Sequence, residues 1–185
     1  MSEIKRTREN ENEFERILFV CKARSNAARY PFASVLHVER GITGSRLIAS
    51  DGRRLHFAEI RTRIKSGDYK PVITKDIIKF GEPVTGIRFP NWRKIIPDEL
   101  LKKGELNLAD TGLGKDTKLT ERLSFEFNNF VKKTGTLVNL RYLEDLPKKE
   151  WVFFSQNNKQ KALVLKQKDE PDKAVAVIMP LGKAA

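Results

Sequence analysis

Cysteine and histidine are both scarce in this chain of 185 residues. Cys21 is the only cysteine, so no disulfide can form within the chain. Neither His37 nor His56 has a Cys, His or carboxylate neighbour at the spacing of a known metal motif. No apolar run approaches the roughly 20 residues that cross a bilayer, and the first residues lack the apolar stretch of a secretory signal. These absences predict a cytoplasmic protein with no metal, no cofactor and no membrane partner.

Catalytic motifs are also lacking. Cys21 lies on the apolar side of a predicted helix, where an inert thiol is expected. Residues 112–117 resemble a phosphate-binding loop, but Ala109 stands where the first glycine is needed and Asp116 stands where Ser or Thr would bind magnesium. Residues 41–44 resemble the loop of small RNA-binding modules, but between strands rather than helices. We therefore expect a binding protein and not an enzyme; a nuclease site assembled from distant carboxylates is the remaining alternative.

Positive charge is what the chain has in excess. Lys and Arg number 36 against 24 Asp and Glu, which gives a formal charge of +12 and a pI near 9.9. A surplus of this size favours polyanionic partners, because each contacted phosphate releases condensed counterions. The charge alone is also compatible with a merely basic, soluble domain. The hydrophobic fraction of 39% is enough for a buried core.

The first half predicts one helix followed by short strands. Residues 1–10 are polar and predict a mobile tail. Residues 11–29 have helical periodicity, with Phe19 and Val20 off the main apolar stripe and available for a second surface. The stripe consists of Phe14, Ile17, Leu18, Cys21, Ser25 and Ala28. Strands are predicted at 35–39, 46–50, 55–60 and 71–74, with an Asp-Gly hairpin turn at 51–52; residues 75–86 are left unassigned.

The second half predicts more strands around a short helix. Residues 89–97, bounded by prolines, predict an ordered linker or a single turn. Strands are predicted at 105–109, 123–127, 136–140, 151–155, 162–166 and 174–179, with turns at 157–158 and 169–172. A short helix is predicted at 141–146, ended by Pro147. The fold class predicted is α+β with antiparallel sheets, one longer N-terminal helix and one short helix.

Five segments, in order along the chain, carry a family resemblance. They are residues 28–31 (Ala-Arg-Tyr-Pro), 49–55 (Ala-Ser-Asp-Gly-Arg-Arg-Leu), 88–97 (Arg-Phe-Pro-Asn-Trp-Arg-Lys-Ile-Ile-Pro), 139–146 (Asn-Leu-Arg-Tyr-Leu-Glu-Asp-Leu) and 177–181 (Val-Ile-Met-Pro-Leu). Each resembles a segment of the bacterial DNA polymerase III beta subunits, the sliding clamps. Ordinary hairpin and core residues of an unrelated β protein are the alternative explanation. The resemblance implies a DNA-clamp-like fold, truncated relative to clamps with three repeats.

The resemblance also implies a partner. Sliding clamps encircle double-stranded DNA without reading its sequence and line the hole with Lys and Arg on helices. The DNA-contact residues implied here are Arg16, Lys22, Arg24, Arg29 and Tyr30. Simple solvation of a surface helix is the other explanation for these charges.

A second implied site binds short apolar peptides from polymerases and repair proteins. The positions that match the family's peptide groove are Ser50, Gly52, Arg53, Arg54, Leu55, Pro90, Lys94, Ile95, Val177, Met179, Pro180 and Leu181. Apolar side chains would form an adaptable floor, and basic side chains would hold a peptide carbonyl or carboxylate. Met179 and Leu181 are equally compatible with a place in the core.

The chain departs from the family in length. It is too long for one clamp repeat and short for two, with Arg53 in place of the usual histidine and Trp92 in place of tyrosine. The division implied is a tail at 1–10, a unit at 11–86 like the first half of a second repeat, a connector at 87–101 and a shortened third repeat at 102–185.

Three functional hypotheses remain. One is a minimal sliding clamp, a homo-oligomer that confers processivity. The second is a clamp-derived adaptor or competitor, which binds clamp-seeking peptides without encircling DNA. The third is a generic basic β domain for single strands, disfavoured because Phe57, Trp151 and Phe153 are expected in the core.

Overall fold

The computed structural model describes residues 2–26, 29–97, 99–108, 118–155 and 162–181. The chain divides into two compact units. Unit 1 comprises Met1–Trp92 with Asp172–Ala174, and unit 2 comprises Arg93–Pro171 with Val175–Ala185. The boundary therefore falls inside the segment predicted to be a connector.

Unit 1 contains an antiparallel sheet of consecutive short strands. These are β2 (Leu36–Arg40), β3 (Ser45–Ser50), β4 (Arg54–Ile60) and β5 (Gly67–Tyr69), in the order β5-β2-β3-β4. The predicted hairpin at 51–52 joins β3 to β4, with Ala49 opposite His56. The strand prediction for this region is confirmed to within a residue or two at each end.

Helix α1 (Glu11–Cys21) packs against β3 and β4. Phe14, Ile17 and Cys21 are buried as the periodicity predicted, and Phe19 and Val20 are buried as well. The helix ends at Cys21 and not at residue 29, so the predicted C-terminal boundary is wrong. Two features stop it: the last turn tightens into i→i−3 hydrogen bonds, and side chains satisfy its final carbonyls.

A second, small sheet in unit 1 contains the N-terminal residues. Strand β1 (Ser2–Lys5) pairs antiparallel with β7 (Ile77–Phe80), which also pairs with β6 (Val72–Ile73). Ile4, opposite Ile78, is buried. The prediction of a mobile tail is therefore wrong for residues 2–5. Backbone pairing and the burial of Ile4 stabilise a strand there, although the polar composition of the segment gave no sign of it.

Within residues 89–97 the structure has a single 3-10 turn, Trp92–Ile95, in agreement with one of the two alternatives left open for that segment. Its first half is anchored within unit 1. The Trp92 ring stacks on Phe57 with centroids 5.1 Å apart, and its Nε1 donates a hydrogen bond to Glu39 over 3.0 Å. The Phe89 ring stacks on His37 at 4.7 Å.

Unit 2 contains four antiparallel strands. Its strands are β8 (Leu101–Asn107), β9 (Glu150–Ser155), β10 (Leu163–Gln167) and β11 (Ala174–Ile178), in the order β11-β10-β9-β8. Trp151, Phe153, Leu163 and Val177 are completely buried. The predicted strands 151–155, 162–166 and 174–179 are confirmed to within one residue at each end, whereas the strand predicted at 105–109 begins four residues earlier and ends at Asn107. The predicted turn at 157–158 lies outside the described residues.

Two strand predictions in unit 2 are wrong. Residues 123–127 belong to helix α2 (Leu119–Glu126), which continues through a π turn (Phe127–Val131) into α3 (Lys132–Thr134). Residues 136–140 are irregular. The apolar alternation at 123–127 was too short to exclude a helix. The helix is favoured because it buries the Phe130 ring against Phe125 and Phe153.

The short predicted helix is confirmed as α4 (Arg141–Glu144), which ends before Pro147. Together these elements give an α+β fold with antiparallel sheets and few helices, as predicted.

Candidate functional site

The cations predicted to face DNA lie on α1 and on the loop that follows it. Lys22 and Arg29 are exposed, as is Tyr30. Arg16 and Arg24 are half-buried: an Arg16 nitrogen donates a weak hydrogen bond to the Glu59 carbonyl at 3.4 Å, and Arg24 Nε donates to the Cys21 carbonyl at 3.3 Å. The surface that remains available to a polyanion is therefore narrower than one complete helix face.

The β3–β4 hairpin is held rigid by its own polar groups. The Asp51 carboxylate accepts hydrogen bonds from the backbone N–H groups of Arg53 and Arg54 at 2.8 and 3.0 Å. Ser50 Oγ donates to the Arg54 carbonyl at 2.7 Å and accepts from the Gly52 N–H at 3.1 Å. This Asx-type arrangement presents the Arg53 side chain to solvent on a fixed turn.

The Arg54 side chain connects this hairpin to the end of α1. Its Nε contacts the Asp51 carboxylate at 3.1 Å, and its Nη2 donates to the Lys22 carbonyl at 2.7 Å, just beyond the end of α1. Gly52 has a φ of +88°, and a Cβ there would lie 3.4 Å from the Tyr30 ring. The hairpin and the Arg29–Tyr30 loop are therefore neighbours. The resemblance implied a functional role for each of them.

In unit 2 the C-terminal segment is partly buried and partly exposed. Val177 is completely buried, whereas Met179 and Leu181 are 42% and 47% exposed. Leu137, which the sequence did not single out, is 47% exposed, and its carbonyl accepts a hydrogen bond from the Leu181 N–H at 2.9 Å. Met179, Leu181 and Leu137 are thus exposed apolar side chains on two hydrogen-bonded segments, here named the C-terminal apolar surface.

A buried carboxylate supports this surface from below. Glu126, at the end of α2, is buried, and its Oε1 accepts the Val138 backbone N–H at 2.8 Å. Burial raises the pKa of the Glu126 carboxyl, and the Val138 hydrogen bond opposes that rise. The bond fixes the irregular chain next to Leu137. No sequence motif marked Glu126, because its partner is a backbone group of a segment without regular structure.

The remaining predicted groove residues are distributed over both units. Pro90 and Leu55 belong to unit 1, with Leu55 completely buried; Lys94 and Ile95 belong to unit 2, with Lys94 exposed and Ile95 half-buried. The groove as a whole draws on both units, so its assembly stays a prediction. Leu55 and Val177 are buried where they stand, so any part they play is to support other residues.

Titratable groups in the core are neutral rather than reactive. Burial raises the pKa of the Cys21 thiol to about 11, which disfavours the nucleophilic thiolate. Among the described residues no cluster of three or more His, Cys, Asp or Glu side chains is placed to hold a metal ion. No helix in the described ranges is long and apolar enough to span a bilayer.

Comparison with solved structures identifies the fold. The DNA polymerase III beta chain of Streptococcus pneumoniae superimposes with a TM-score of 0.65 at 11% identity, over 98% of this chain and 64% of that one. The beta subunit of Thermotoga maritima gives 0.60 at 13% identity, over 99% and 65%. The Helicobacter pylori beta clamp bound to a DNA ligase peptide gives 0.60 at 9% identity, over 92% and 64%.

Sequence comparison adds no closer relative: no family model matches the chain, and no curated protein matches it. The chain spans just under two thirds of the length of the clamps it resembles. At these identities the likeness concerns the fold, and it extends over nearly the whole chain. The protein has a shortened form of the bacterial sliding-clamp fold.

Proposed function

We propose that this chain is a sliding-clamp-like accessory protein of DNA replication or repair. In this proposal it associates with double-stranded DNA independently of sequence, binds short apolar peptides of polymerases or repair proteins, and catalyses no reaction. The observation that carries the proposal is the clamp fold extending over 98% of the chain. The formal charge of +12 supports the DNA partner, since the attraction needs no base contacts.

The peptide partner is supported by the C-terminal apolar surface. Large apolar side chains at 42–47% exposure, on a backbone fixed by hydrogen bonds, suit the anchoring of one or two apolar side chains. One of the structurally similar clamps is bound to a DNA ligase peptide. The peptide expected here has a glutamine followed by two or more apolar residues, with Lys94 of the same unit available for its polar groups.

The second candidate is the adaptor or competitor, which binds clamp-seeking peptides without encircling DNA. One observation favours it. Arg16 and Arg24, two of the five side chains predicted to contact DNA, are half-buried and bonded to backbone carbonyls of the chain itself. An adaptor needs the peptide surface only, so it would retain that surface while its affinity for duplex DNA was weak.

The DNA arm is tested by fluorescence anisotropy on duplexes of two unrelated sequences across a salt series. We expect equal affinity for both sequences and a steep loss of affinity with salt. The exposed pair Lys22→Ala and Arg29→Ala should weaken binding, whereas the exposed pair Lys70→Ala and Lys75→Ala removes the same charge away from α1 and serves as the control. An absence of duplex binding at low salt would leave the adaptor as the function.

The peptide arm is tested by titrating a labelled peptide with glutamine and two apolar residues. We expect micromolar affinity, about −8 kcal/mol. Met179→Ser and Leu181→Ser should each weaken binding by about tenfold, because an apolar anchor loses roughly 1–2 kcal/mol of contact. Leu119→Ser, at a 71% exposed leucine elsewhere in unit 2, is the matched control. Equal loss in the control variant would contradict a specific site.

A further inference from the structure

A second group of cations lies at one end of the unit 1 sheet. They come from two segments that are separated in the sequence. The β2–β3 turn (residues 41–44) and the segment after β4 (residues 61–66) pack side by side. A Cβ on Gly44 would lie only 1.9 Å from the Ile60 carbonyl oxygen, so glycine permits this close approach of two backbones. The approach places exposed Arg40, Arg61, Arg63 and Lys65 around one tip of the unit.

Hydrogen bonds fix this tip. Arg63 Nη2 donates to the Ile42 carbonyl at 2.6 Å, and the backbone N–H of Ile64 donates to Ser45 Oγ at 2.7 Å. The Arg40 N–H donates to Ser66 Oγ at 2.9 Å. The backbone that carries the cations is therefore ordered, and binding a ligand there does not require the loop to be ordered first.

The four cations lack carboxylate partners. In the described part of the chain none of them forms an ion pair, although cations on other sheet faces do. Arg46 pairs with Glu59 at 2.8 Å, and Lys168 bridges Glu105 and Glu150 at 2.9 and 3.0 Å. The nearby Glu13 carboxylate accepts the Thr62 backbone N–H at 2.8 Å. Four cations are thus concentrated at this tip, with the Glu13 carboxylate as a nearby negative charge.

The tip adjoins helix α1, because Glu13 of that helix accepts the Thr62 backbone N–H at 2.8 Å. Burial lowers the pKa of Arg16, the Glu13 and Glu59 carboxylates raise it, and the positive charge of Arg61 lowers it, so Arg16 and Arg61 are close enough to interact. Arg16 is one of the side chains predicted to contact DNA. A polyanion that follows the surface of α1 at this end would reach Arg61 next, and then Arg63 and Lys65.

We propose that Arg40, Arg61, Arg63 and Lys65, named the basic tip, bind the phosphate backbone of nucleic acid. This inference rests on the proposed association with DNA and extends its contact surface beyond α1. Three of the four are arginines, whose planar guanidinium groups bind phosphate with two hydrogen bonds. The Ile42 side chain, 89% exposed on the β2–β3 turn, has no hydrogen-bonding group and is not needed for phosphate contact.

The test compares two triple variants that remove the same charge. The first is Arg61→Gln, Arg63→Gln and Lys65→Gln; the control is Lys5→Gln, Lys75→Gln and Lys79→Gln on the three-stranded sheet. We expect duplex affinity to fall at least tenfold in the first and less than threefold in the control. The slope of log affinity against log salt should fall by about 2.7 in the first variant only, at about 0.9 for each of the three lost phosphate contacts.

Further variants separate the possible outcomes. The double variant Arg61→Gln and Lys65→Gln keeps the Arg63 bond to Ile42, so a loss of binding there cannot come from a loosened loop. Equal affinity of both triple variants, with normal binding by the unmodified chain, would overturn the basic tip but leave the proposed function standing. No duplex binding by the unmodified chain would overturn both. If Ile42→Ser strongly weakened binding, the tip would be assigned to an acidic protein segment instead. Binding to anionic vesicles but not to DNA would assign it to a lipid surface.

Discussion

His56 is a completely buried histidine in β4, and its protonation state links stability to pH. Its Nδ1 donates to the Phe19 carbonyl at 2.8 Å, and its ring stacks on Phe19 with centroids 4.4 Å apart. Nε2 has no hydrogen-bond partner in the described residues. Burial lowers the pKa of His56 from 6.5 to about 3, with Arg54 and Lys22 adding to the effect. The folded chain therefore holds this imidazole neutral.

The first prediction is a loss of stability below pH 6.5. Because the folded pKa lies below the unfolded pKa, the unfolded state binds the proton more readily, and the free energy of unfolding falls as pH drops from 6.5 toward 3. At pH 5.5 the loss due to His56 should be about 1.4 kcal/mol relative to neutral pH. Urea unfolding at both pH values measures it.

A control separates His56 from acidic groups. Hydrogen bonds from Lys102 and Lys168 lower the pKa of Glu105 to about 2, so its contribution is lost only as pH falls below 4.5. His56→Gln should therefore flatten the dependence between pH 7.5 and 5.5 while the dependence below pH 4.5 persists. An unchanged slope in His56→Gln across the upper window would contradict the assignment.

At the scale of the element, one carboxylate, that of Glu126, links α2 to the irregular segment at residues 136–140. The second prediction is that Glu126→Ala destabilises the chain by about 1–3 kcal/mol, because the buried Val138 N–H loses its acceptor. Glu126→Gln keeps an acceptor oxygen and removes a charge that burial disfavours, so it should be at least as stable as the unmodified chain at neutral pH. Chemical denaturation at pH 7 distinguishes the pair.

A functional readout accompanies that stability measurement. Glu126 supports the chain beside Leu137, whose carbonyl pairs with the Leu181 N–H. We expect Glu126→Ala to weaken peptide binding more than DNA binding, and Glu126→Gln to restore it. Equal weakening of both activities in a folded Glu126→Ala variant would show a general loss of structure rather than a supporting role for this carboxylate.

Elements with a repeated local pattern were predictable from sequence. Strands β2, β3 and β4 followed from alternation and from Asp51-Gly52, whose turn chemistry is local. The α2 helix did not, because three alternating apolar residues fit either period, and the contact that decides for helix is between Phe130 and Phe153, distant in sequence. Strand β1 was missed for a similar reason: its partner Ile77–Phe80 lies more than seventy positions away.

The candidate site shows the same limit. The sequence supplied Met179 and Leu181 through a resemblance, and the structure describes both as exposed. Leu137 and the basic tip were not predicted, since each depends on contacts between segments that no periodicity connects: Leu181 with Leu137, and Arg63 with Ile42. Residue type and charge could be read from sequence, but exposure and neighbours required the fold.

At the scale of the whole molecule, the proposed function depends on how many copies assemble. Strand β8 is the last strand on one side of the unit 2 sheet, and no further described strand pairs with it. An unpaired edge presents free backbone donors and acceptors that another chain can use. Leu101, at its start, is 44% exposed and offers an apolar contact beside that edge.

The final prediction is self-association through the β8 edge. Sedimentation at increasing concentration should reveal a mass above that of one chain, and Leu101→Asp should shift it back toward the monomer, because charges placed in register on two edges repel each other. Val72→Asp, at a 63% exposed position on the edge of the three-stranded sheet, changes the same charge at a different edge and should leave association intact. A strictly monomeric mass at high concentration would remove the encircling model and would favour the adaptor.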